Sequence, residues 1–388
     1  MNGDSFQIVT LWSDVLIWIL AIVLGWVIRQ VSRDPRHARA WARLRDNPLG
    51  LAAAFMLLCF ALIGLMDSLH FRQRLPDTSA STHDAAPRYA VEVLSVLDIA
   101  VADLRLHSEK TYSAPFSAHS FAKESIIGTE GETLGRDFPP LRFPGQHWLG
   151  TDKVGQDVLY QVLKSIRTAL IIGLVTTLVT LPLSVILGIV AGYFRGWVDD
   201  VIQYIYTVLN AIPSVLLIAA SVLMMQVVID THPQWFSTAA ERADVRLLAL
   251  CFILGMTSWT GLCRLLRGET LKLRELEYIQ AARAAGVGHA RILLRHVLPN
   301  VMHIVVIALV MDFSSLVLAE AVLSYVGIGV DPSMTSFGTM INSARLELGR
   351  EPVVWWSLTA AFVFMLLMVL AANLLADAVR DAFDPRAA

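Results

Sequence analysis

The chain has 388 residues, of which 55% are hydrophobic and only 16% are charged, and its mean hydropathy is +0.58. This composition excludes an ordinary soluble protein and is typical of a helical protein that crosses a membrane several times. The formal net charge of -2 decides little, because the positions of Lys and Arg set the topology of a membrane protein. The three cysteines, Cys59, Cys251 and Cys263, lie in or beside apolar stretches, so no disulfide framework is predicted.

The first apolar stretch covers residues 8–28 and is long enough to span a bilayer. Asp4 precedes it, whereas six arginines follow it: Arg29, Arg33, Arg36, Arg39, Arg43 and Arg45. A secretory signal peptide carries its positive charge before the apolar core, so this pattern predicts an uncleaved anchor with an external N-terminus. The arginines then hold the following loop in the cytoplasm.

A second span, residues 49–66, leads to a long external segment that covers residues 67–165. The segment contains several prolines and no apolar run long enough to span a membrane. Its length predicts either a small external subdomain or a partly mobile region. The pattern of residues 90–106 suits a strand or a helix, and both alternatives stay open.

A helix is predicted at the end of the external segment, with Thr151 or Asp152 as its N-cap. Apolar residues recur on one face of this helix: Val158, Leu159, Val162, Leu163 and Ile166. We therefore expect the helix to lie along the outer membrane surface.

Five further spans are predicted, at residues 167–192, 203–229, 246–266, 301–329 and 354–376. With the first two they make seven, which takes the chain from an external N-terminus to a cytoplasmic C-terminus. Pro182 and Pro213 interrupt two of the spans, and Gly188 with Gly192 gives a small-x-x-x-small spacing. Close packing is the ordinary role of such residues in a membrane bundle, and a hinge role stays open.

A basic loop, residues 267–300, lies between two of the spans, and the positive-inside rule assigns it to the cytoplasm. Good helix formers run from Glu269 to Ala285, Gly286 and Gly288 offer a left-handed cap, and Pro299 is predicted to stop the second helix. The pattern predicts two short helices joined by a glycine elbow. Small alanines on one face suit a groove in another protein, and a hairpin at the membrane surface with no partner is the alternative.

The residues of this loop resemble the cytoplasmic coupling loop of ABC-importer permeases. The pattern Glu-x-x-x-Ala-Ala-x-x-x-Gly begins at Glu277 and ends at Gly286, and Ile292 and Leu298-Pro299 follow it. With Arg283 after the two alanines and His-Val-Leu-Pro-Asn at the end, it resembles the dipeptide, oligopeptide and nickel branch.

Three other segments, in the same order as in that branch, extend the resemblance over roughly residues 147–386. They are 147–159, 323–329 and 373–386. The chain departs from the usual pattern at Gln156, where the family usually has arginine, and in residues 165–170. These departures do not change the predicted helix. They put in doubt any specific contact that the arginine makes in the family.

The resemblance implies an all-α polytopic bundle of the type I importer fold, located in the bacterial inner membrane. Family members commonly have six spans, so residues 1–46 are expected to be an additional helix with its basic loop. Residues 47–66 then form the first core span, residues 67–165 the external segment and residues 166–388 the rest of the transport core.

The resemblance also implies a function, a set of partners and a coupling site. The chain is expected to act beside a second permease subunit, two ABC ATPase subunits and an external substrate-binding protein, and to import di- or oligopeptides. ATP binding on the ATPases is expected to pull on the loop and switch the bundle between inward-facing and outward-facing states. The residues assigned to this coupling are Glu277, Ala281, Ala282, Arg283, Gly286, Ile292, Leu298 and Pro299.

No Gly-x-x-x-x-Gly-Lys-Ser/Thr phosphate loop is present in the sequence, so the chain itself is not expected to be an enzyme that hydrolyses ATP. No cofactor, metal site or nucleic-acid partner is predicted, and Pro299 separates His296 from His303, the pair with the most metal-like spacing.

Two acids, Asp312 and Glu320, lie inside one predicted span. A charge at this depth is expensive, so such residues usually face the bundle interior or a water-filled path. Both a polar substrate path and hydrogen-bonded packing residues are compatible with this pattern, and Glu320 is favoured for the path because the family often has an acid there. The alternative function is a self-sufficient ion-driven transporter or channel that uses the two acids.

Overall fold

The computed structural model describes residues 6–33, 38–74, 89–90, 92–127, 133–236, 238–349 and 351–383. Several residues named above therefore lie outside the described part of the chain: Asp4, Arg36 and the last three residues of the C-terminal motif, Asp384, Pro385 and Arg386. Within the described part, seven helical segments are long and apolar enough to cross a membrane. This confirms the prediction of a polytopic helical bundle with seven spans.

Among the described residues, nine helices and one short connecting helix build the membrane-crossing part. They are α1 (Trp12–Arg33), α2 (Ala38–Asp46), α3 (Pro48–Asp67), α6 (Val158–Phe194), α7 (Trp197–Ala211), α8 (Ser214–Thr231), α9 (Ala239–Ser258), α10 (Thr260–Arg274), α13 (Leu298–Val326) and α15 (Trp356–Phe383). Helices α9 and α10 form one continuous crossing, Ala239–Arg274, and α7 precedes the crossing made by α8.

The segments that precede or connect the crossings contain the remaining elements. They include β1 (Phe6–Val9), β2 (His70–Gln73), β3 (Leu94–Ser95), α4 (Val96–Ala100), α5 (Ala102–Leu106), β4 (Glu124–Ile127), β5 (Thr133–Asp137) and α14 (Phe337–Arg345). The loop between α10 and α13 contains α11 (Glu277–Ala284) and α12 (His289–Ile292). Strands β1, β2 and β3 form an antiparallel sheet, and β4 pairs with β5. The segment whose pattern suited both a strand and a helix is mostly helical, in α4 and α5.

Helix α6 is the longest element of the bundle and contacts α3, α9, α10 and α13. Its 37 residues correspond to about 55 Å at 1.5 Å per residue. The prediction of a separate helix on the outer membrane surface is wrong, because the helix that begins at Val158 continues into the membrane without a break. Val158, Val162 and Ile166 are fully buried against other parts of the chain, which explains why their face is apolar.

The N-cap of α6 is Asp157, and not Thr151 or Asp152 as predicted. An Asp157 carboxylate oxygen accepts a hydrogen bond from the backbone N–H of Leu159. Asp152 instead closes the preceding turn, because its carboxylate accepts the N–H groups of Val154 and Gln156. A cap and a turn use the same short acidic side chain, so the sequence did not distinguish them.

The two prolines within the predicted spans behave differently. Pro182 lies inside the continuous α6, whereas Pro213 separates α7 from α8. The α6 glycines serve close packing: an added Cβ on Gly188 would lie 2.8 Å from the Cys263 carbonyl oxygen, and one on Gly192 would lie 2.7 Å from the Arg267 carbonyl oxygen. The small-residue spacing thus brings α6 and α10 together, as expected for membrane helices.

Candidate coupling site and polar residues of the bundle

The elbow of the loop 267–300 is formed as the sequence predicts. Gly286 has a φ of +78°, and it follows α11 in the arrangement of a Schellman cap. The N–H of Val287 donates to the Ala282 carbonyl oxygen at 3.1 Å, and the N–H of Gly286 donates to the Arg283 carbonyl oxygen at 3.0 Å. Gly288, by contrast, has a φ of -59°. Of these two glycines, therefore, only Gly286 adopts the left-handed conformation.

Pro299 does not stop the second helix, and that prediction is wrong. A π-helical turn, Leu293–Val297, connects α12 to α13, and Pro299 lies in the first turn of α13. A proline in the first turn of a helix has no N–H that needs a partner, and a π-helical turn changes the hydrogen-bond register just before it. As a result, His289–Val326 is one membrane-crossing segment of 38 residues.

One face of α11 is anchored in the bundle and the other is exposed. Ile279 is fully buried in an apolar cluster with Ile292, Val297 and Leu266. Five of the residues assigned to coupling are exposed: Glu277, Ala281, Arg283, Gly286 and Pro299. Ala282 and Leu298 are half-buried, and Ile292 is buried. The buried residues therefore hold the loop to the transport core, and the exposed ones form a surface with small side chains in its middle.

Tyr193, near the C-terminal end of α6, connects the loop 267–300 to this helix. Its hydroxyl is hydrogen-bonded to Nδ1 of His289 at 2.8 Å, and its carbonyl oxygen accepts a hydrogen bond from Nη1 of Arg274 at 2.8 Å. The ring is only 3% exposed. The Tyr193 hydroxyl thus ties α6 to the start of α12 through a partly buried contact. Sequence reasoning missed this contact because Tyr193 and His289 lie far apart in the chain.

A bidentate ion pair joins α7 to α10 near the same end of the bundle. Arg267 donates from Nε and Nη2 to the two carboxylate oxygens of Asp199, at 2.6 and 2.7 Å. The hydrogen bonds from Arg267 hold the pKa of Asp199 below its usual value, against the opposing effect of burial. The pair fixes the start of α7 beside the helix that leads into the loop.

The two acids of α13 have different surroundings. Glu320 is 1% exposed, and one of its oxygens accepts hydrogen bonds from the hydroxyls of Ser324 and Ser336, at 2.6 and 2.8 Å. Asp312 is half-buried, and within the described residues no side chain is hydrogen-bonded to its carboxylate. The geometry of Glu320 suits a packing residue, and Asp312 is the better candidate for a polar path.

A cavity of about 720 Å³ lies between the segment 67–165, the N-terminal part of α6 and the start of α9. Residues of both charges line it, among them Asp67, Asp98, Lys164 and Arg167. Lys164 pairs with Asp67 at 2.6 Å and with Asp98 at 3.1 Å. Burial raises the pKa of Asp98, but Lys164 and the hydrogen bonds at its carboxylate outweigh this effect and hold the pKa below its usual value.

A buried histidine ties the external segment to the start of α6. Nδ1 of His147 lies 3.0 Å from a carboxylate oxygen of Asp157, and Nε2 lies 3.6 Å from one of Glu109. The hydrogen bond with Asp157 raises the pKa of His147, and burial opposes it only in part. The imidazole therefore lies between two acids that belong to different parts of the chain.

These features define a polytopic helical membrane protein whose basic loop carries a glycine elbow. A family model described as "Binding-protein-dependent transport system inner membrane component" matches residues 184–388, and the chain belongs to this family. The protein is therefore a multi-pass transport permease rather than an enzyme. Membership of this family also favours a binding-protein-dependent permease over the self-sufficient ion-driven transporter.

Curated relatives match about three fifths of the chain. The oligopeptide transport system permease protein OppC of Mycobacterium tuberculosis (strain ATCC 25618 / H37Rv) is 34% identical over 246 residues, which cover 63% of this chain and 78% of OppC. The glutathione transport system permease protein GsiD of Pectobacterium atrosepticum is 35% identical over 242 residues, covering 62% and 73% of the two chains. A solved inward-facing structure of the MetNI methionine ABC transporter aligns with 17% identity and a TM-score of 0.42, covering 58% of this chain and 97% of that one.

Proposed function

We propose that this chain is one of two permease subunits in an ATP-driven importer of short peptides. The observation that carries the proposal is the construction of α11, which is anchored by Ile279 and exposes a surface of small side chains beside the Gly286 elbow. A surface that must transmit force needs a rigid attachment, and the Schellman cap and the buried isoleucine supply it. The partners are a second permease, two ABC ATPase subunits and an external substrate-binding protein.

In this mechanism ATP binding brings the two ATPase subunits together and moves the loop 267–300. Tyr193 and the α13 segment carry the movement into the bundle, which then changes from inward-facing to outward-facing. A shift from 1:99 to 99:1 between two such states requires a bias of about 5.5 kcal/mol. The exposed coupling residues Glu277, Ala281, Arg283 and Gly286 contact the ATPase, whereas Ile292 and Leu298 hold the loop in place.

The substrate class is supported by the curated relatives, which are permeases for oligopeptides and for glutathione. The outer cavity, which is lined by both acidic and basic side chains, suits molecules that carry an ammonium group at one end and a carboxylate at the other. Within the membrane, the Asp312 carboxylate is the polar group that such a molecule meets on α13.

The proposed topology has an external N-terminus and a cytoplasmic C-terminus. Arg29, Arg33, Arg43 and Arg45 flank the cytoplasmic end of the first helix, and the basic loop 267–300 lies on the same side. With seven crossings, residues 67–165 then face the outside, where they are available to a binding protein.

The experiment is purification of the tagged chain from its native membrane in mild detergent, followed by identification of the co-purifying proteins by mass spectrometry. We expect a second permease and ATPase subunits in equal amounts. The variant Ala281→Arg places a long side chain on the exposed face of α11 and is expected to reduce ATPase recovery at least tenfold while the second permease is retained.

Ala118→Arg makes the same change at an exposed residue of the external segment and is expected to leave ATPase recovery unchanged. Equal recovery from the two variants contradicts the docking role of α11. A chain that is recovered alone, repeatedly and in good yield, contradicts the function itself.

A further inference from the structure

Five buried or half-buried polar residues meet at the outer end of the bundle and form what we call the outer cluster: Ser13, Asp14, His70, Arg167 and Asp244. They come from α1, β2, α6 and α9, and Ser13, Asp14, Arg167 and Asp244 are each no more than 5% exposed. The family match begins at residue 184, so Ser13 and Asp14 lie outside the segment that defines the family. Asp312 and Glu320 were singled out because each is an acid inside an apolar span, and Asp14 meets the same criterion.

Asp14 supplies the counter-charge of the buried Arg167. One oxygen of the Asp14 carboxylate accepts hydrogen bonds from Nη2 of Arg167 at 2.5 Å and from Nε at 3.2 Å. The other oxygen lies 2.7 Å from Nδ1 of His70. A buried arginine needs a partner of this kind, because removal of one member leaves an uncompensated charge in a medium of low dielectric constant.

Ser13 connects the same arginine to α9. Its hydroxyl accepts a hydrogen bond from Nη2 of Arg167 at 3.0 Å and donates one to Asp244. Its backbone N–H donates to the second oxygen of the Asp244 carboxylate at 3.1 Å. The hydrogen-bonded route from α6 to α9 in this cluster therefore runs through the first turn of α1.

The position of this first turn is itself fixed from two sides. Strand β1, just before it, pairs with β2 from Val9 opposite His70 to Phe6 opposite Gln73. Ile17, one turn further along α1, is buried in the main apolar cluster. The outward face of the helix, by contrast, carries exposed apolar residues that suit lipid.

We propose that Ser13 and Asp14 are positioning residues that hold the outer ends of α6 and α9 at a fixed distance from each other during transport. The first helix is then a working part of the permease rather than an accessory anchor. The proposal goes beyond the peptide-import function, and its geometric test does not depend on that function.

The first test measures the distance between α6 and α9 with spin labels. The labels are attached at Val154, just before α6, and at Trp235, just before α9; both side chains are mostly exposed. The three native cysteines are replaced by alanine, and distances are recorded by double electron–electron resonance on the purified full-length chain. We expect one narrow distance distribution, which becomes at least twofold wider in Asp14→Asn and stays narrow in Asp14→Glu.

The matched control is Asp103→Asn, the same chemical change at an exposed external residue, and it is expected to keep the narrow distribution. Ser13→Ala removes only the hydroxyl bridge and gives a second, milder variant if Asp14→Asn fails to fold. The proposal is overturned if the distance distribution of Asp14→Asn is as narrow as that of the control. If Asp14→Asn does not fold, the same criterion applies to Ser13→Ala.

The second test measures uptake of radiolabelled trialanine into vesicles that contain the complete transporter, per assembled complex. We expect a loss of at least fivefold in Asp14→Asn, recovery to within twofold in Asp14→Glu and no change in Asp103→Asn. A residue with a purely structural role would lower the yield of assembled complex and leave uptake per complex unchanged, and that result overturns the proposal. If the wild-type chain assembles with no ATPase, the proposed function fails, and the spin-label distances still decide the role of α1.

Discussion

The glycine at the elbow allows a test in which backbone strain is the variable that changes. Gly286 has a φ of +78° and Gly288 a φ of -59°, and an added Cβ would meet nothing within 4 Å at either position. A side chain in the left-handed region costs about 1–2 kcal/mol, with β-branched residues at the upper end, whereas Gly288 is already in a region that every residue tolerates. The difference between Gly286→Val and Gly288→Val is therefore about 1–2 kcal/mol of backbone strain.

This strain acts on the equilibrium between the bent elbow and alternative conformations. A difference of 1–2 kcal/mol corresponds to a factor of about five to thirty in such an equilibrium. Ile279 and Ile292 stay buried in both variants, so the fold and the assembly with partners are expected to be retained. The effect should instead appear in coupling, because the orientation of α11 is what the elbow determines.

The assay is reconstitution of the complete transporter in vesicles, with ATP hydrolysis and trialanine uptake measured on the same preparation. We expect uptake per ATP hydrolysed to fall about five- to thirtyfold in Gly286→Val and to stay within twofold of wild type in Gly288→Val. Normal uptake per ATP in an assembled Gly286→Val complex would refute the coupling role of the elbow. An equal loss in both variants would refute the argument from backbone strain.

Three further perturbations follow from the structure. Tyr193→Phe keeps the buried ring but removes the hydrogen bond to His289, so thermal unfolding in detergent is expected to show a loss of about 0.5–1.5 kcal/mol and uptake per ATP to fall. Asp157 raises the pKa of His147 in the folded chain. The stability that His147 contributes is therefore fully present below its unfolded pKa of about 6.5 and is lost as the pH rises through the folded pKa. The melting temperature should fall over that pH range, and His147→Gln should make this fall smaller. Gly155→Ala brings a Cβ to 1.8 Å from a backbone carbonyl oxygen at a φ of +76°, and it is expected to prevent stable folding of the external segment, measured by limited proteolysis.

Each of these variants has a control within the chain. Tyr278→Phe removes a hydroxyl that accepts one hydrogen bond at an exposed site, and a loss as large as that of Tyr193→Phe would show that burial is not the cause. His119→Gln changes an exposed histidine and should leave the pH dependence intact. Gly145→Ala has a φ of +71° with nothing near the added Cβ, so equal proteolysis in the two alanine variants would contradict the steric argument at Gly155.

Predictions that rest on local patterns agree with the structure. The spans, their number and the glycine elbow follow from hydropathy and turn chemistry, which depend on residues close together in the sequence. The loop residue Ile292 was assigned to coupling from a motif, and the structure adds that it is buried in an apolar cluster. The coupling assignment of the exposed loop residues stays a prediction until the ATPase partners are identified.

Predictions that needed knowledge of neighbours were the ones that failed. Asp152 and Asp157 have the same side chain, and only the direction of the chain around them decides which one caps α6. Pro299 was expected to end a helix, and the π-helical turn before it allows the helix to continue. The role of Glu320 stays a prediction: the sequence left a substrate path and hydrogen-bonded packing open, and only the structure shows its hydrogen bonds to Ser324 and Ser336.

The sequence by itself determined that the chain crosses a membrane seven times and that its basic loop forms an elbow, because hydropathy and positive φ are properties of a few consecutive residues. Only the tertiary structure decided which polar residues meet inside the bundle. Asp14, Arg167 and Asp244 are separated by more than seventy residues at each step, and their contact depends on how α1, α6 and α9 pack. A buried charge is stabilised by whatever group the fold brings within hydrogen-bond distance, and that distance is set by packing and not by position in the chain.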